Sequence, residues 1–393
     1  MSLVKTYEDE DGLHFVLQDM DVSIVNGIRR TILSDIPTLV IRTETSEINN
    51  CKITKNTSRF HNEIVKQRLS CIPIFVKPKQ YSDFINNYRL VIDVKNESNM
   101  ELRWVTTDDF HIQDKNTNQL LSDEEVRKMY PHDTITNQPI DFLRLRPSIG
   151  NTEGEHIQLT AEFSLSTAKE NGMFNVVSKC SYHNVIDAEK RETEWSERLQ
   201  EMKNENVSEK EIEFERNNFN YLDGFRHFKT NENGQPNEFE FIVQTIGVHS
   251  NHEIVYHACN IIENKFKKFL ENVQSQIVPI HPSHQSREYG YTSITLSTIE
   301  NSYDIILENE DYTLGYILEH YLYTLFFVDN EESNKLTYIG FKKYHPHDDY
   351  SVIRMAFLDD STAKILLTQY LVRACTEISS LFDTLKRRFA SLI

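Results

Sequence analysis

Residues 15–41 read FVLQDMDVSIVNGIRRTILSDIPTLVI, and the reading of the whole fold turns on this stretch. Its first residues finish a short apolar strand that begins at His14 and ends at Gln18. From Asp21 to Asp35, Val22, Val25, Ile28 and Ile32 recur at three- and four-residue steps, which is the spacing of one face of an amphipathic helix. Pro37 ends that helix, because the residue before a proline is driven out of the helical region, and Thr38 to Ile48 reads as a further strand. The same order returns near the other end of the chain. Asp311-Tyr312-Thr313-Leu314-Gly315-Tyr316-Ile317-Leu318 follows the strand Tyr303 to Glu308, and it echoes Asp21-Val22-Ser23-Ile24-Val25-Asn26-Gly27-Ile28 in its succession of acid, hydroxyl and apolar residue. Both aspartates suit N-caps, where a carboxylate accepts first-turn N–H groups and meets the positive end of the helix dipole.

Each half also ends in a long helix with an apolar stripe. Val255, Ala258, Ile262, Phe266, Phe269 and Val273 mark the first, from Asn251 to Ser275. Ala363, Leu367, Tyr370, Ala374, Ile378, Leu381 and Leu385 mark the second, from Ser361 to Phe389. Two similar modules with surplus stripes predict that one buries the other's within the chain. The expected map is a large module over residues 1–95 and 236–278, interrupted by a β-rich domain over 96–235 that carries a charged excursion at 188–218. A linker at 279–290 then leads to a small α+β module over 291–393, with strands at Thr292 to Ile299, Leu336 to Tyr344 and Ser351 to Leu358. The fold class is α+β.

The composition narrows the function. In 393 residues, 60 Asp and Glu face 42 Lys and Arg, a formal net charge of -18 that opposes a large basic nucleic-acid footprint. The sequence has no apolar run long enough for a transmembrane helix and does not start like a signal peptide. It also lacks a phosphate-binding glycine loop, a nucleophile elbow and an H-E-x-x-H helix. The five cysteines stand singly, and His281 with His284 and His345 with His347 lack cysteine partners, so no metal site is expected. Cys180 near His183 is the one candidate thiol nucleophile, and it has no identifiable third orienting group.

The stretch from Phe15 to Ile41 resembles the opening of the assembly subunits of cellular RNA polymerases, the family of the bacterial alpha amino-terminal domain, its archaeal counterpart and the third-largest subunit of RNA polymerase II. The likeness rests on Asn26, Arg29 and Arg30, then on Asp35 to Pro37. It extends to NTSRFHNEIVKQRLSCIPI from Asn56 to Ile74, to NGMFNVVSKCSYHN from Asn171 to Asn184, and to FEFIVQTIGVHSNHEIV from Phe239 to Val255. The carboxyl-terminal unit is similar to the smaller partner of that family, with Asp311-Tyr312-Thr313-Leu314-Gly315-Tyr316 in place of Asp-His-Thr-Leu-Gly-Asn. The fused order is similar to polymerase subunits of large DNA viruses of eukaryotes.

The resemblance implies a non-catalytic assembly platform with two alpha-amino-terminal-domain-like dimerisation modules forming an intramolecular pseudo-dimer. Asn26, Arg29 and Arg30 would face the second-largest subunit. Val25, Ile28, Ile32, Val255, Ile262, Phe266, Thr313, Leu314, Gly315, Leu318, Leu367, Ala374 and Leu381 would form the pairing interface. The implied partners are the largest and second-largest polymerase subunits and small accessory subunits, with little or no nucleic-acid contact, no membrane and no homo-oligomer. No cofactor is expected, because the cysteine-rich metal loop of many relatives has no counterpart here. The implied site of action is intracellular: cytoplasm or virion for a viral chain, otherwise the nucleus. A self-associating scaffold unrelated to transcription is the competing reading, and a hydrolase built on Cys180 or a histidine loop is the third.

Overall fold

In the computed structural model, which describes residues 2–328 and 336–392, the chain opens with an antiparallel hairpin of β1 (Ser2–Asp9) and β2 (Gly12–Gln18). Helix α1 (Val22–Ser34) follows. The middle of the chain runs through β3 (Thr38–Val40), β4 (Cys51–Asn56), α2 (Asn62–Ser70), α3 (Tyr81–Asn87), β5 (Tyr88–Lys95) and β6 (Arg103–Thr106). It continues through β7 (His111–Asp114), α4 (Asp123–Met129), β8 (Asp141–Leu145), β9 (His156–Glu162) and β10 (Ser164–Ser166). Strand β11 (Val177–Asn184) leads into α5 (Ala188–Asn204) and α6 (Glu209–Tyr221), and β12 (Glu238–Thr245) leads into α7 (Asn251–Gln274). The last part holds β13 (Ile280–Pro282), β14 (Ser302–Glu308), α8 (Tyr312–Tyr323), β15 (Leu336–Lys342), β16 (Tyr350–Phe357) and α9 (Asp360–Ala390).

The chain divides into two compact units. The first comprises Met1–Ile32, Lys179–Gln244 and Asn251–Ile393. It contains two four-stranded sheets, ordered β1-β2-β12-β11 and β13-β14-β16-β15. Position by position these orders correspond. In each sheet the two central strands pair antiparallel, Phe15 opposite Phe241 in one and Ile305 opposite Ile353 in the other. Each central strand is followed by a helix: α1 after β2, α7 after β12, α8 after β14 and α9 after β16. The echo read at Asp21 and Asp311 is thus part of a repeated strand and helix plan. The excursion at 188–218 is a helical hairpin of this unit, whose second helix is started by a capping box between Ser208 and Glu211. Trp195 and Phe219 meet between its helices with ring centroids 5.4 Å apart.

The second unit, Leu33–Ser178 with Thr245–Ser250, is built on the sheet β4-β9-β5-β7 and two small ribbons, β10-β3 and β6-β8. Its core gathers Val65 and Leu69 of α2, Leu90 and Ile92 of β5, Phe110, Phe142 and Leu159. Along β5 and β9 the buried side chains alternate with more exposed ones, the pattern of a sheet with one buried face.

Several expectations are corrected. The β-rich unit begins at Leu33 rather than at 96, because Cys51–Asn56 pairs with His156–Glu162 and is drawn into the same sheet. It ends at Ser178, so the charged hairpin belongs to the first unit. Only Thr38–Val40 of the strand expected to Ile48 forms, since the polar run after it offers no alternating apolar face. Thr292 to Ile299 is irregular rather than a strand.

Residues 279–290 are no free linker. Ile280 pairs with Ile305, and the Ser283 and Ser286 hydroxyls donate to Asp304 at 2.8 and 2.6 Å. Asp304 is 0 % exposed and is clamped by Arg354 Nε and Nη2 at 2.6 and 2.9 Å. Val22 lies outside the stripe, 49 % exposed at the first turn of α1. On α9 the buried position is Phe382 rather than Leu381, which is half-buried. A helix turns 3.6 residues at a time, so over many turns the stripe must step by four as well as by three.

Candidate functional site

Helices α1 and α8 start in the same way. Asp21 Oδ1 accepts the Ser23 N–H at 2.7 Å, and Asp311 Oδ1 accepts the Thr313 N–H at 3.0 Å. The caps satisfy otherwise orphaned donors, and a cap of this kind is worth about 1 kcal/mol. On α1, Ile24, Val25, Ile28 and Ile32 are buried, and on α8, Thr313, Leu314, Gly315, Ile317 and Leu318. The helices come close at Gly27, where a Cβ would stand 2.7 Å from Ile317 Cδ1. Gly315 serves a different contact, since Phe341 of β15 occupies the space that its side chain would take.

The polar contacts between α1 and α8 are reciprocal. Arg30 Nη2 lies 2.9 Å from Asp311 Oδ2, and Arg30 Nε donates to Thr313 Oγ1 at 2.9 Å. In return His320 Nδ1 lies 3.5 Å from Asp21 Oδ2. Arg30 and His320 each stand nine residues beyond the cap of their own helix and reach the cap of the other. Gly27 and Ile317 likewise each stand six residues beyond their caps and meet. Arg30, expected to face the second-largest subunit, is about one-third exposed, and its guanidinium is held by the second helix. Arg29 behaves differently, with Nε and Nη2 donating to Asn26 Oδ1 at 3.1 and 2.9 Å, one turn back on the same helix. Asn26 and Arg29 are half-buried.

The second contact joins α7 and α9. Val255, Ile262 and Phe266 on α7, and Leu367, Ala374, Phe382 and Leu385 on α9, are all buried. Each large side chain removed from water in this way contributes roughly 1.5–3 kcal/mol. Within this apolar seam Glu263 is 1 % exposed. Its carboxylate takes Lys267 Nζ at 2.5 Å and also Lys386 of α9. Burial alone would raise the Glu263 pKa, but the two ammonium groups outweigh it and hold the group below its ordinary range. The end of α9 reaches the first sheet, where the Phe389 ring meets Phe15 edge-on at 5.1 Å and Phe15 stacks on Phe241 at 4.8 Å.

The chemistry expected of a hydrolase does not assemble. Burial pushes the Cys180 thiol up to about 12, only partly offset by Arg29, so the nucleophilic thiolate is suppressed. His183 is exposed and pairs with Glu240 at 3.4 Å. The His281 ring is stacked on Tyr289 at 3.8 Å, and the His345 and His347 rings lie 5.2 Å apart. Among the described residues no group of three or more His, Cys, Asp or Glu side chains is placed to hold a metal ion, and no helix is long and apolar enough to cross a membrane.

Sequence reasoning missed Arg30 with Asp311, Glu263 with Lys386, and Gly27 with Ile317, because each pair is far apart in the chain. One local signal was available. Gly27 lies inside a strong helical pattern, where glycine is costly and marks a close approach.

Comparison with known proteins points to one family. The model of the RNA polymerase Rpb3/Rpb11 dimerisation domain matches residues 14–266. DNA-directed RNA polymerase subunit Rpo3 of Pyrococcus furiosus is 24 % identical over 279 residues, 67 % of this chain and 94 % of that protein. Subunit Rpo3 of Methanosphaera stadtmanae is 25 % identical over 179 residues, 44 % of this chain and 58 % of the relative. The human DNA-directed RNA polymerases I and III subunit RPAC1 is 24 % identical over 206 residues, 46 % of this chain and 53 % of the relative. A family match over more than half of the chain, on a sheet and helix plan that occurs twice, places this protein in the RNA polymerase Rpb3/Rpb11 dimerisation domain family.

Proposed function

We propose that the chain is the non-catalytic assembly platform of a multisubunit DNA-directed RNA polymerase. Its two modules pair within one chain as a pseudo-dimer, α1 with α8 and α7 with α9, and the pair holds the largest and second-largest subunits, with small accessory subunits added around them. The observation that carries this reading is the exchange of caps, Arg30 to Asp311 and His320 to Asp21. Such exchange is the mark of an isologous contact, in which residue i meets j and j meets i. Fusion replaces a bimolecular encounter by an intramolecular one and fixes the stoichiometry of the modules.

Docking of the second-largest subunit is assigned to Asn26 and Arg29. Arg29 donates its hydrogen bonds to Asn26 of its own helix and makes none to α8 among the hydrogen bonds described, and a planar guanidinium fork suits a partner's carboxylate or carbonyl groups. Beside them Val22, Tyr182, Tyr316 and Glu319 line an open groove. The net charge of -18 fits a surface that meets protein rather than template. Affinity purification of the tagged chain tests the proposal. Co-purification of two large polymerase subunits supports it, and an intact complex without them sinks it.

A further inference from the structure

The geometry points to a knob and a hole, Ile317 and Gly27, that make α1 and α8 complementary to each other and not to copies of themselves. The inference rests on the pairing half of the proposal above and says what makes that pairing selective. Gly27 and Ile317 occupy the same position in their two helices, six residues after the capping aspartate. Equivalent positions meet where a two-fold axis passes between like elements. Here one of the two residues has no side chain, and the other is a fully buried isoleucine whose Cδ1 fills the space.

Pairing α8 with a second α8 by the same geometry would set Ile317 against Ile317, two branched side chains in room made for one. Pairing α1 with a second α1 would set Gly27 against Gly27 and leave the space empty. Overpacking and cavities both destabilise a close-packed contact. A methyl group at position 27 would already force Ile317 to swing, and Ile317, at 0 % exposure, has no solvent to swing into. The polar exchange does not discriminate in this way, because Asp21 and Asp311 are alike and Arg30 and His320 are both basic. The long helices add a second criterion. Glu263 of α7 meets Lys386 of α9, so pairing like with like would bury this carboxylate without its partner's cation.

The full-length chain tests this in three variants, Gly27→Ile, Ile317→Gly and both changes together, by thermal melting and by sedimentation over a range of concentrations. The wild type is expected to sediment as a monomer throughout. Each single change is expected to lower the melting temperature by several degrees, one through a clash and the other through a cavity. The double variant, which moves the knob to the other helix and keeps the number of glycines unchanged, is expected to melt closer to the wild type than either single variant. Losses that simply add in the double variant, or a wild type that dimerises with rising concentration, would overturn the inference. Failure of the wild type to bind polymerase subunits, with the rescue intact, would remove the docking proposal and leave this one standing.

Discussion

Arg30 Nη2 stands 2.9 Å from Asp311 Oδ2, although the two residues belong to opposite ends of the chain. The same guanidinium also reaches Thr313, so one arginine touches both the cap and the first turn of α8. Both partners are about one-third exposed, 36 % and 28 %, so the ion pair is screened and worth about 0.2–1 kcal/mol. Arg30→Glu turns this attraction into repulsion beside the cap. It should lower stability by about 1 kcal/mol in denaturant unfolding, with a difference from the wild type that shrinks in high salt.

Asp311 has a second role that can be separated from the first. Asp311→Asn keeps a capping oxygen and removes the charge, whereas Asp311→Ala removes both. The alanine variant should be less stable than the asparagine variant by about 1 kcal/mol. Equal losses in the two variants would mean that the cap contributes nothing.

Arg29 and Arg30 should part company on mutation. Arg29→Glu replaces a half-buried side chain bonded only within its own turn among the hydrogen bonds described, so unfolding of the isolated chain should shift by less than about 0.5 kcal/mol. Co-purification of the second-largest subunit should nevertheless be lost. Retention of that subunit by the Arg29→Glu chain would show that docking lies elsewhere.

Glu263 makes the seam between α7 and α9 sensitive to acid. Its pKa is held down in the fold, so it contributes stability at pH values above its unfolded pKa of about 4.3, and that contribution disappears as pH falls through the lower folded value. Glu263→Gln should therefore melt below the wild type at neutral pH, and the gap should close in acid. A gap that stays constant between neutral pH and about pH 3 would contradict this assignment.

The segment before β14 should resist proteolysis for a reason that lies in Asp304. This buried carboxylate accepts from Ser283, Ser286 and Arg354, and Asp304→Ala would leave Arg354 without its carboxylate and both hydroxyls without their acceptor. A loss of about 3 kcal/mol is expected, together with new cleavage between residues 279 and 290 in limited proteolysis. An unchanged digestion pattern would place the anchoring elsewhere.

Much of this plan could be read from the sequence where the information is local. The caps at Asp21 and Asp311 and the long stripes of α7 and α9 depend on residues within a few turns of one another, and apart from the step to Phe382 they form as read. What escaped depends on partners distant in the chain. Cys51–Asn56 looks like part of the first module until His156–Glu162 claims it as a sheet neighbour. The composition of HPSHQSREYG suggests a loop, and only Asp304 and Ile305 reveal that its start is pinned. Arg29 and Arg30 are indistinguishable in one dimension, and a rotation of about 100° along a helix sends one to Asn26 and the other to Asp311.

The most direct measurement is native mass spectrometry of the complex purified through this chain. One copy of the chain bound with the largest and the second-largest polymerase subunits is the predicted result. Two copies of the chain in the complex, or an intact complex without either large subunit, would contradict the platform reading.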